Sequence, residues 1–140
     1  MIFTLSILIY LWYQQSENVT KSAKIILEND IDFTGSIVSY NKSTNHSFGV
    51  IKFRIIKSSK QEFNISDPRV IYPYRLSKNY GEFYGYIPLD IKVGQLIKLY
   101  ARKKTVELYD GTREVAQTDV FIISDRHFIN YVEEHTLFKK

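Results

Sequence analysis

Three histidines and a few acidic residues are the side chains of this chain whose types could bind a metal or transfer protons. His46 stands in the polar connection NKSTNHS. On a helix, His127, Tyr131 and Glu134 would share one face, which is the arrangement of a weak metal site. The apolar positions of the same segment recur at i, i+3, i+4 and i+7, as on a helix that packs against a core: Phe128, Tyr131, Val132 and His135. Without an HExxH-type motif, the spacing favours helix packing over a metal site.

The remaining carboxylates and glycines form no catalytic signature. Asp30 and Asp32 would lie on one face of a strand as paired acids, but carboxylates beside the start of a strand are usually solvated. The chain has no cysteine, which excludes disulfides, thiolate nucleophiles and cysteine-ligated zinc. It contains no GxSxG, P-loop or GxGxxG motif. The sequence therefore predicts no cofactor and favours a protein that is not an enzyme.

A dense group of aromatic residues is the candidate binding surface. The stretch from Tyr72 to Pro88 reads YPYRLSKNYGEFYGYIP, and Gly81 and Gly85 interrupt it, so we expect an irregular segment. Its candidate partner-binding residues are Tyr72, Tyr74, Tyr80, Phe83, Tyr84 and Tyr86. Such rings form protein-recognition surfaces at low entropic cost, or they stack on bases or sugars. The competing interpretation is that half of them are core residues, because tyrosine is a good strand residue.

The chain from Ile31 to about Ser124 has the pattern of short strands. In Phe48–Ile56, apolar and charged residues alternate with period two, and Asp110-Gly111 is a strong hairpin signal. Gly35 indicates a bulge or bend. The predicted strands are Phe33–Tyr40, Phe48–Ile56, Glu62–Ile65, Gln95–Arg102, Thr105–Tyr109, Thr112–Gln117 and Thr118–Ile123. We predict a mainly β fold, either a small antiparallel β-barrel or an open sandwich, over residues 31–124. A short C-terminal helix and tail follow in residues 125–140.

The first thirteen residues, MIFTLSILIYLWY, carry no charged side chain and predict an N-terminal apolar helix. We interpret residues 1–15 as a membrane anchor and residues 16–30 as a stalk or connecting helix. A spanning helix needs about 20 apolar residues. The anchor is therefore either truncated by a misplaced start, or fitted to a thinned bilayer with Tyr10, Trp12 and Tyr13 at the interface. A signal peptide and a buried first element are the other two interpretations.

The charge pattern bears on partners and on orientation. The formal net charge is +4, and the basic residues are scattered along the chain. Scatter is typical of a solvated surface and makes nucleic acid an unlikely partner. Lys21 and Lys24 follow the apolar segment, and the positive-inside rule would place the soluble part in the cytoplasm. The orientation stays open, because the resemblance described next implies the opposite side.

Several segments together resemble a group of small membrane-anchored β-domain proteins common in AT-rich Bacteroidetes-type genomes. They are the apolar N-terminal segment, the Phe33-Thr34-Gly35-Ser36-Ile37 strand, the Phe48–Ile56 strand, Val93 to Lys98, and Val106 to Asp110. The resemblance implies a single-pass protein with an envelope-facing β-domain and no assigned activity. Two functions follow as hypotheses. The first is a membrane-tethered protein-interaction module with a protein partner, including an immunity or inhibitor role against a toxin. The second is an oligonucleotide-binding-like barrel that binds single strands or polyanions.

Overall fold

A computed structural model describes residues 2–27, 31–44, 47–67 and 69–138 of the chain. His46 and Asp30 lie outside the described residues. The elements in chain order are α1 (Ile2–Leu27), β1 (Asp32–Lys42), β2 (Phe48–Ser58), β3 (Ser66–Asp67), β4 (Val70–Ile71), β5 (Tyr74–Leu76), β6 (Tyr80–Tyr86), β7 (Leu96–Tyr100), β8 (Thr105–Asp110), β9 (Arg113–Asp119) and α2 (Arg126–His135). The mainly β fold with a helix at each end is confirmed.

Seven of these strands form one antiparallel sheet in the order β5-β6-β2-β1-β7-β8-β9. The Asp110-Gly111 hairpin is confirmed, since Asp110 pairs with Arg113 and Gly111 has a φ of +64°. β5 and β9 remain the two edges, so the described strands form an open sheet, which fits an open sandwich and is not a closed barrel. The sheet is strongly bent, as a contact between two strands far apart in this order shows. The Thr118 hydroxyl on β9 donates to the Tyr86 carbonyl on β6 at 2.8 Å.

The main core fills the concave side of this bend and centres on Phe53. The Phe53 ring is fully buried and stacks on Phe33, with ring centroids 4.9 Å apart. Gly35 and Gly81 lie on the strands at either side of β2, and a Cβ on either residue would collide with the Phe53 ring. Glycine at these two positions therefore makes room for the ring. The register of β1 and β2 also shifts between Thr34 and Gly35, as the predicted bulge requires.

A second core lies on the convex side, between the sheet and α2. The predicted C-terminal helix is confirmed, and it begins where the Asp125 carboxylate accepts from the backbone N–H of His127 at 2.8 Å. Phe128 of α2 stacks on Phe48 of β2, with ring centroids 4.1 Å apart. α2 therefore covers the convex face over β2 and β6.

Three of the sequence predictions for the strands are wrong. The segment Glu62–Ile65 contains a single bridge, between Phe63 and Leu76, and no strand. β9 ends at Asp119, so Thr118–Ile123 is a strand only at its start, and Ile123 bridges to Ile71. The segment from Tyr72 to Pro88 was expected to be irregular, but it contains two regular strands, β5 and β6. Its glycines accommodate neighbouring rings and do not interrupt the strand.

α1 is one continuous helix that passes through the predicted boundary between anchor and stalk. All of its large apolar side chains from Phe3 to Tyr13 are more than half exposed, so this segment is not a buried first element. None of the helices in the described ranges combines the length and the apolarity that crossing a membrane requires.

Candidate functional site

The structure separates the six aromatic residues that the sequence proposed as a partner surface. Four of them belong to the two cores, with exposed fractions of 2% or less: Tyr72, Tyr74, Phe83 and Tyr84. Tyr80 is half-buried, and Tyr86 is 42% exposed. Four of the six rings are therefore core residues, more than the half that the competing interpretation expected, and a surface that uses all six rings is not present in this fold.

Beside these rings, a fully buried carboxylate is the most polar group in the interior. Glu82 lies on β6 between Tyr80 and Tyr84, and strand alternation places the three side chains on the same convex face. Its Oε1 accepts from the Tyr84 hydroxyl at 2.7 Å and from the Thr136 hydroxyl at 2.6 Å. Its Oε2 accepts from the Tyr80 hydroxyl and from the backbone N–H of Leu137 at 2.9 Å. All four partners are donors, which matches an ionised carboxylate.

This carboxylate fastens the chain after α2 to the sheet. Thr136 caps the C-terminal end of α2, and Leu137 follows it. The Phe138 ring then stacks on Tyr80 at 5.6 Å between centroids. Burial raises the pKa of Tyr80, and the hydrogen bond to Glu82 raises it further. Burial and the charge of Glu82 also raise the pKa of Tyr84, so both phenols stay protonated as donors.

Arg75 is the buried cation on the same side of the sheet. It pairs in register with Glu82 across β5 and β6, and its guanidinium carbon lies 5.4 Å from the centroid of the Tyr84 ring. Nη1 reaches the Thr136 hydroxyl at 3.4 Å, and within the part of the chain that the structure describes Nε has no hydrogen-bond partner. The group thus consists of a carboxylate with four donors and a buried cation held mainly by packing.

The open part of the convex face carries a different set of side chains. β1 lies between β2 and β7 and presents the small residues Thr34 and Ser36 there. Cations flank it on both neighbouring strands, since Arg54 pairs with Ser36, while Lys57 and Lys98 both pair with Thr34. We call Lys52, Arg54, Lys57 and Lys98 the basic face. In the described ranges the ion pairs are Arg69 with Asp67 and Lys103 with Glu107, so no member of the basic face is in an ion pair.

The acid that pairs in register with Lys98 already has hydrogen-bond donors of its own. Glu107 on β8 is buried, and it accepts from Lys103 Nζ at 3.2 Å and from the Tyr109 hydroxyl. The bond from the Tyr109 hydroxyl, and after it the contact with Lys103, hold the pKa of Glu107 below its ordinary value. The bond between Tyr109 and Glu107 also raises the pKa of Tyr109 to about 12. Lys98 Nζ lies 4.5 Å above the Tyr109 ring, and Lys103 Nζ lies 5.1 Å above the Tyr100 ring.

Of the histidines and acids that the sequence singled out, His135 and Asp32 make local contacts. His135 stacks on Tyr131, and its Nδ1 lies 2.8 Å from the carbonyl oxygen of that residue. His127 is exposed. Asp32 is also exposed, and its Oδ1 accepts from the backbone N–H of Ala101. Among the described residues, no group of three or more acidic, histidine or cysteine side chains is placed to hold a metal ion.

Sequence reasoning missed both groups of charged residues. Alternation in YGEFYGY places Glu82 between two tyrosines, which was an available signal for a buried acid with phenol donors. The sequence also places Lys52 and Arg54 on one face of their strand. It contains no signal that β7 lies next to β1, and the contribution of Lys98 to the same face depends on that pairing.

Comparison of the chain with protein-family models, with curated proteins and with solved structures found no match in any of the three. The resemblance to membrane-anchored β-domain proteins stays a prediction.

Proposed function

We propose that this protein is a membrane-tethered interaction module, in which the N-terminal half of α1 holds the β-domain at a lipid bilayer. The observation that supports the anchor is the exposure of the apolar side chains of α1. Successive helical residues are about 100° apart, so the run from Ile7 to Tyr13 points in every direction around the helix. Each of these side chains is 54–71% exposed. A helix that is apolar all round is typical of a nonpolar environment and not of water.

The length of the apolar segment determines how it would be inserted. From Ile2 to Tyr13 it measures about 18 Å at about 1.5 Å per residue, against about 30 Å of hydrocarbon in an ordinary bilayer. We therefore propose that the segment enters one leaflet and thins the bilayer around it, in place of the single-pass anchor that the sequence predicted. Tyr10, Trp12 and Tyr13 stand at its polar end, where amphipathic rings favour the headgroup level.

Vesicle flotation of the full chain tests the anchor. The full chain should float with neutral phosphatidylcholine vesicles. The pair Leu8→Asp and Leu11→Asp should release it, because each buried aspartate costs about 3 kcal/mol of insertion free energy. Leu89→Asp with Val93→Asp is the matched control, since these residues are 87% and 62% exposed on the β-domain. Equal flotation of all three proteins would contradict the proposal.

For the interaction role, including an immunity or inhibitor role, we propose that the partner contacts Tyr86. It is the most exposed of the six aromatic candidates, and it packs edge-on against Phe48 and Phe128. Rigid tyrosines of this kind are common at the centres of interfaces. Tyr86→Ser should abolish capture of a partner, and Tyr100→Ser, at a ring 39% exposed, should not. Capture that survives Tyr86→Ser in a folded variant would exclude this surface.

A further inference from the structure

We propose that the basic face binds the phosphate-bearing headgroups of an anionic bilayer, as a second membrane contact of the tethered β-domain. The face consists of Lys52, Arg54, Lys57 and Lys98 on the open convex side of the sheet. The inference rests on the proposed anchor, because it is α1 that would bring the domain to a bilayer.

The basic face carries an excess of positive charge, which is the first argument for this partner. Among the residues that the structure describes, none of the four cations is in an ion pair, although Lys103 and Arg69 are. The two acids that adjoin the face in register have their own donors: Glu82 opposite Lys52, and Glu107 opposite Lys98. Asp32 is the exposed acid nearby, and it accepts a backbone N–H. The face therefore attracts anions and has little internal charge to repel them.

The shape of the face is the second argument. The main core lies on the concave side of the bent sheet, so the basic face is convex. Its centre is lined by the short hydroxyl side chains of Thr34 and Ser36, with long cationic side chains on both sides. Flexible lysine and arginine side chains around a shallow centre can reach many headgroups of a broad surface. Lys98 and Lys103 lie over the rings of Tyr109 and Tyr100, so those ring faces are occupied and not open for base stacking. These features favour a headgroup layer over a single strand of nucleic acid.

The position of the face along the chain is the third argument. α1 ends at Leu27, and β1 begins at Asp32. Five residue steps span at most about 18 Å at about 3.5 Å each. Asp32 lies two residues from Thr34, which pairs with both Lys57 and Lys98. The C-terminal end of α1 is therefore attached to the end of the sheet where the basic face begins, and the apolar anchor segment starts about 21 Å further along the helix, at Tyr13.

Lysine labelling of the full chain, incorporated into lipid nanodiscs, tests the proposal. Nanodiscs of phosphatidylcholine alone are compared with nanodiscs that contain about a third phosphatidylglycerol, whose surface potential gives each nearby cation about a fivefold gain in binding. An amine-acylating reagent is applied, and the rate at each lysine is read by mass spectrometry. Lys57 and Lys98 should react several-fold more slowly in the anionic nanodiscs, and the protection should disappear in high salt. Lys78 and Lys92, both exposed elsewhere on the domain, serve as internal controls. Each should react at the same rate in the anionic nanodiscs as in the neutral ones.

A charge variant makes the test specific to this face. Arg54→Gln with Lys57→Gln should reduce headgroup binding on the order of 25-fold, so that Lys98 reacts as Lys92 does. Lys78→Gln with Arg113→Gln removes the same charge from other exposed positions and should leave Lys98 protected.

Equal protection of all lysines, or equal effects of the two variant pairs, would show attraction by net charge and overturn the proposal. Protection of Lys57 and Lys98 by a single-stranded oligonucleotide in neutral nanodiscs, with none from phosphatidylglycerol, would assign the face to nucleic acid and overturn it too. Failure of the full chain to enter neutral nanodiscs would instead refute the anchor, which is a separate result.

Discussion

Replacement of Glu82 by glutamine tests the buried polar group most directly. Glutamine keeps the size of the side chain but replaces one acceptor oxygen by an NH₂ group. Oε1 can still accept from Tyr84 and Thr136. The new NH₂ group then faces the backbone N–H of Leu137, so that two donors meet where Oε2 accepted at 2.9 Å. Tyr80 also loses its acceptor, although its hydroxyl can rotate to accept from the amide.

The size of the effect follows from these contacts. A hydrogen bond to a charged group contributes about 1.5–3 kcal/mol, and an unsatisfied buried donor costs about 1–3 kcal/mol. Part of this is offset, because the variant no longer buries a charge. We therefore expect Glu82→Gln to lower the free energy of unfolding by about 2–3 kcal/mol. For a domain of about 100 residues, this corresponds to a decrease in Tm of about 10–15 °C.

Thermal unfolding followed by circular dichroism measures this change, and hydrogen exchange locates it. The amide of Leu137 should exchange faster in the variant than in the native protein, because its bond to Glu82 is lost. Glu62→Gln is the matched control, since Glu62 is an exposed acid on the same domain. If Glu82→Gln shifted Tm no more than Glu62→Gln does, the carboxylate would be solvated and the reasoning on this group would be wrong.

The other predictions concern the core and the acid response. Phe53→Ala should lower the free energy of unfolding by about 3–5 kcal/mol in denaturant titrations, because the ring is fully buried. Gly81→Ala should cost about 1–3 kcal/mol by overpacking against that ring, and adding Phe53→Leu should relieve part of this cost. The pKa of Glu107 is lowered from 4.5 in the folded state, so its contribution is present at neutral pH and is lost as the pH falls below about 4.5. Glu107→Gln should therefore weaken the protein at pH 7 and flatten its acid unfolding curve, whereas an unchanged curve would contradict the pairing with Tyr109.

Local patterns in the sequence predicted the elements that depend on local chemistry. Alternation located β2, the Asp-Gly pair located the β8–β9 hairpin, and the apolar stripe located α2. The prediction of an irregular Tyr-rich segment is wrong because the role of its glycines depends on side chains of the neighbouring strand. Gly81 lies opposite Phe53 in the register of β2 and β6, and only that long-range pairing explains why a strand would contain glycine there. Register between distant strands is not encoded in any short window of the sequence.

The convex face of the sheet is divided into two parts by what covers it. Over β2 and β6, α2 and the chain after it bury Phe48 and Tyr84, and Glu82 fixes that cover through Thr136. Over β1 and β7 no described element packs, and the side chains there include small Thr34 and Ser36, the cation Lys98, and the exposed Val38 and Tyr100. Opposite charges side by side on neighbouring strands stabilise a sheet, and Glu82 opposite Lys52 and Glu107 opposite Lys98 form two such pairs here. Arg54 and Lys57 differ, because their partners in register are uncharged: Ser36 and Tyr80 for Arg54, and Thr34 for Lys57. The proposed contact with an anionic surface would use this excess of cations, at the end of β1 that follows α1.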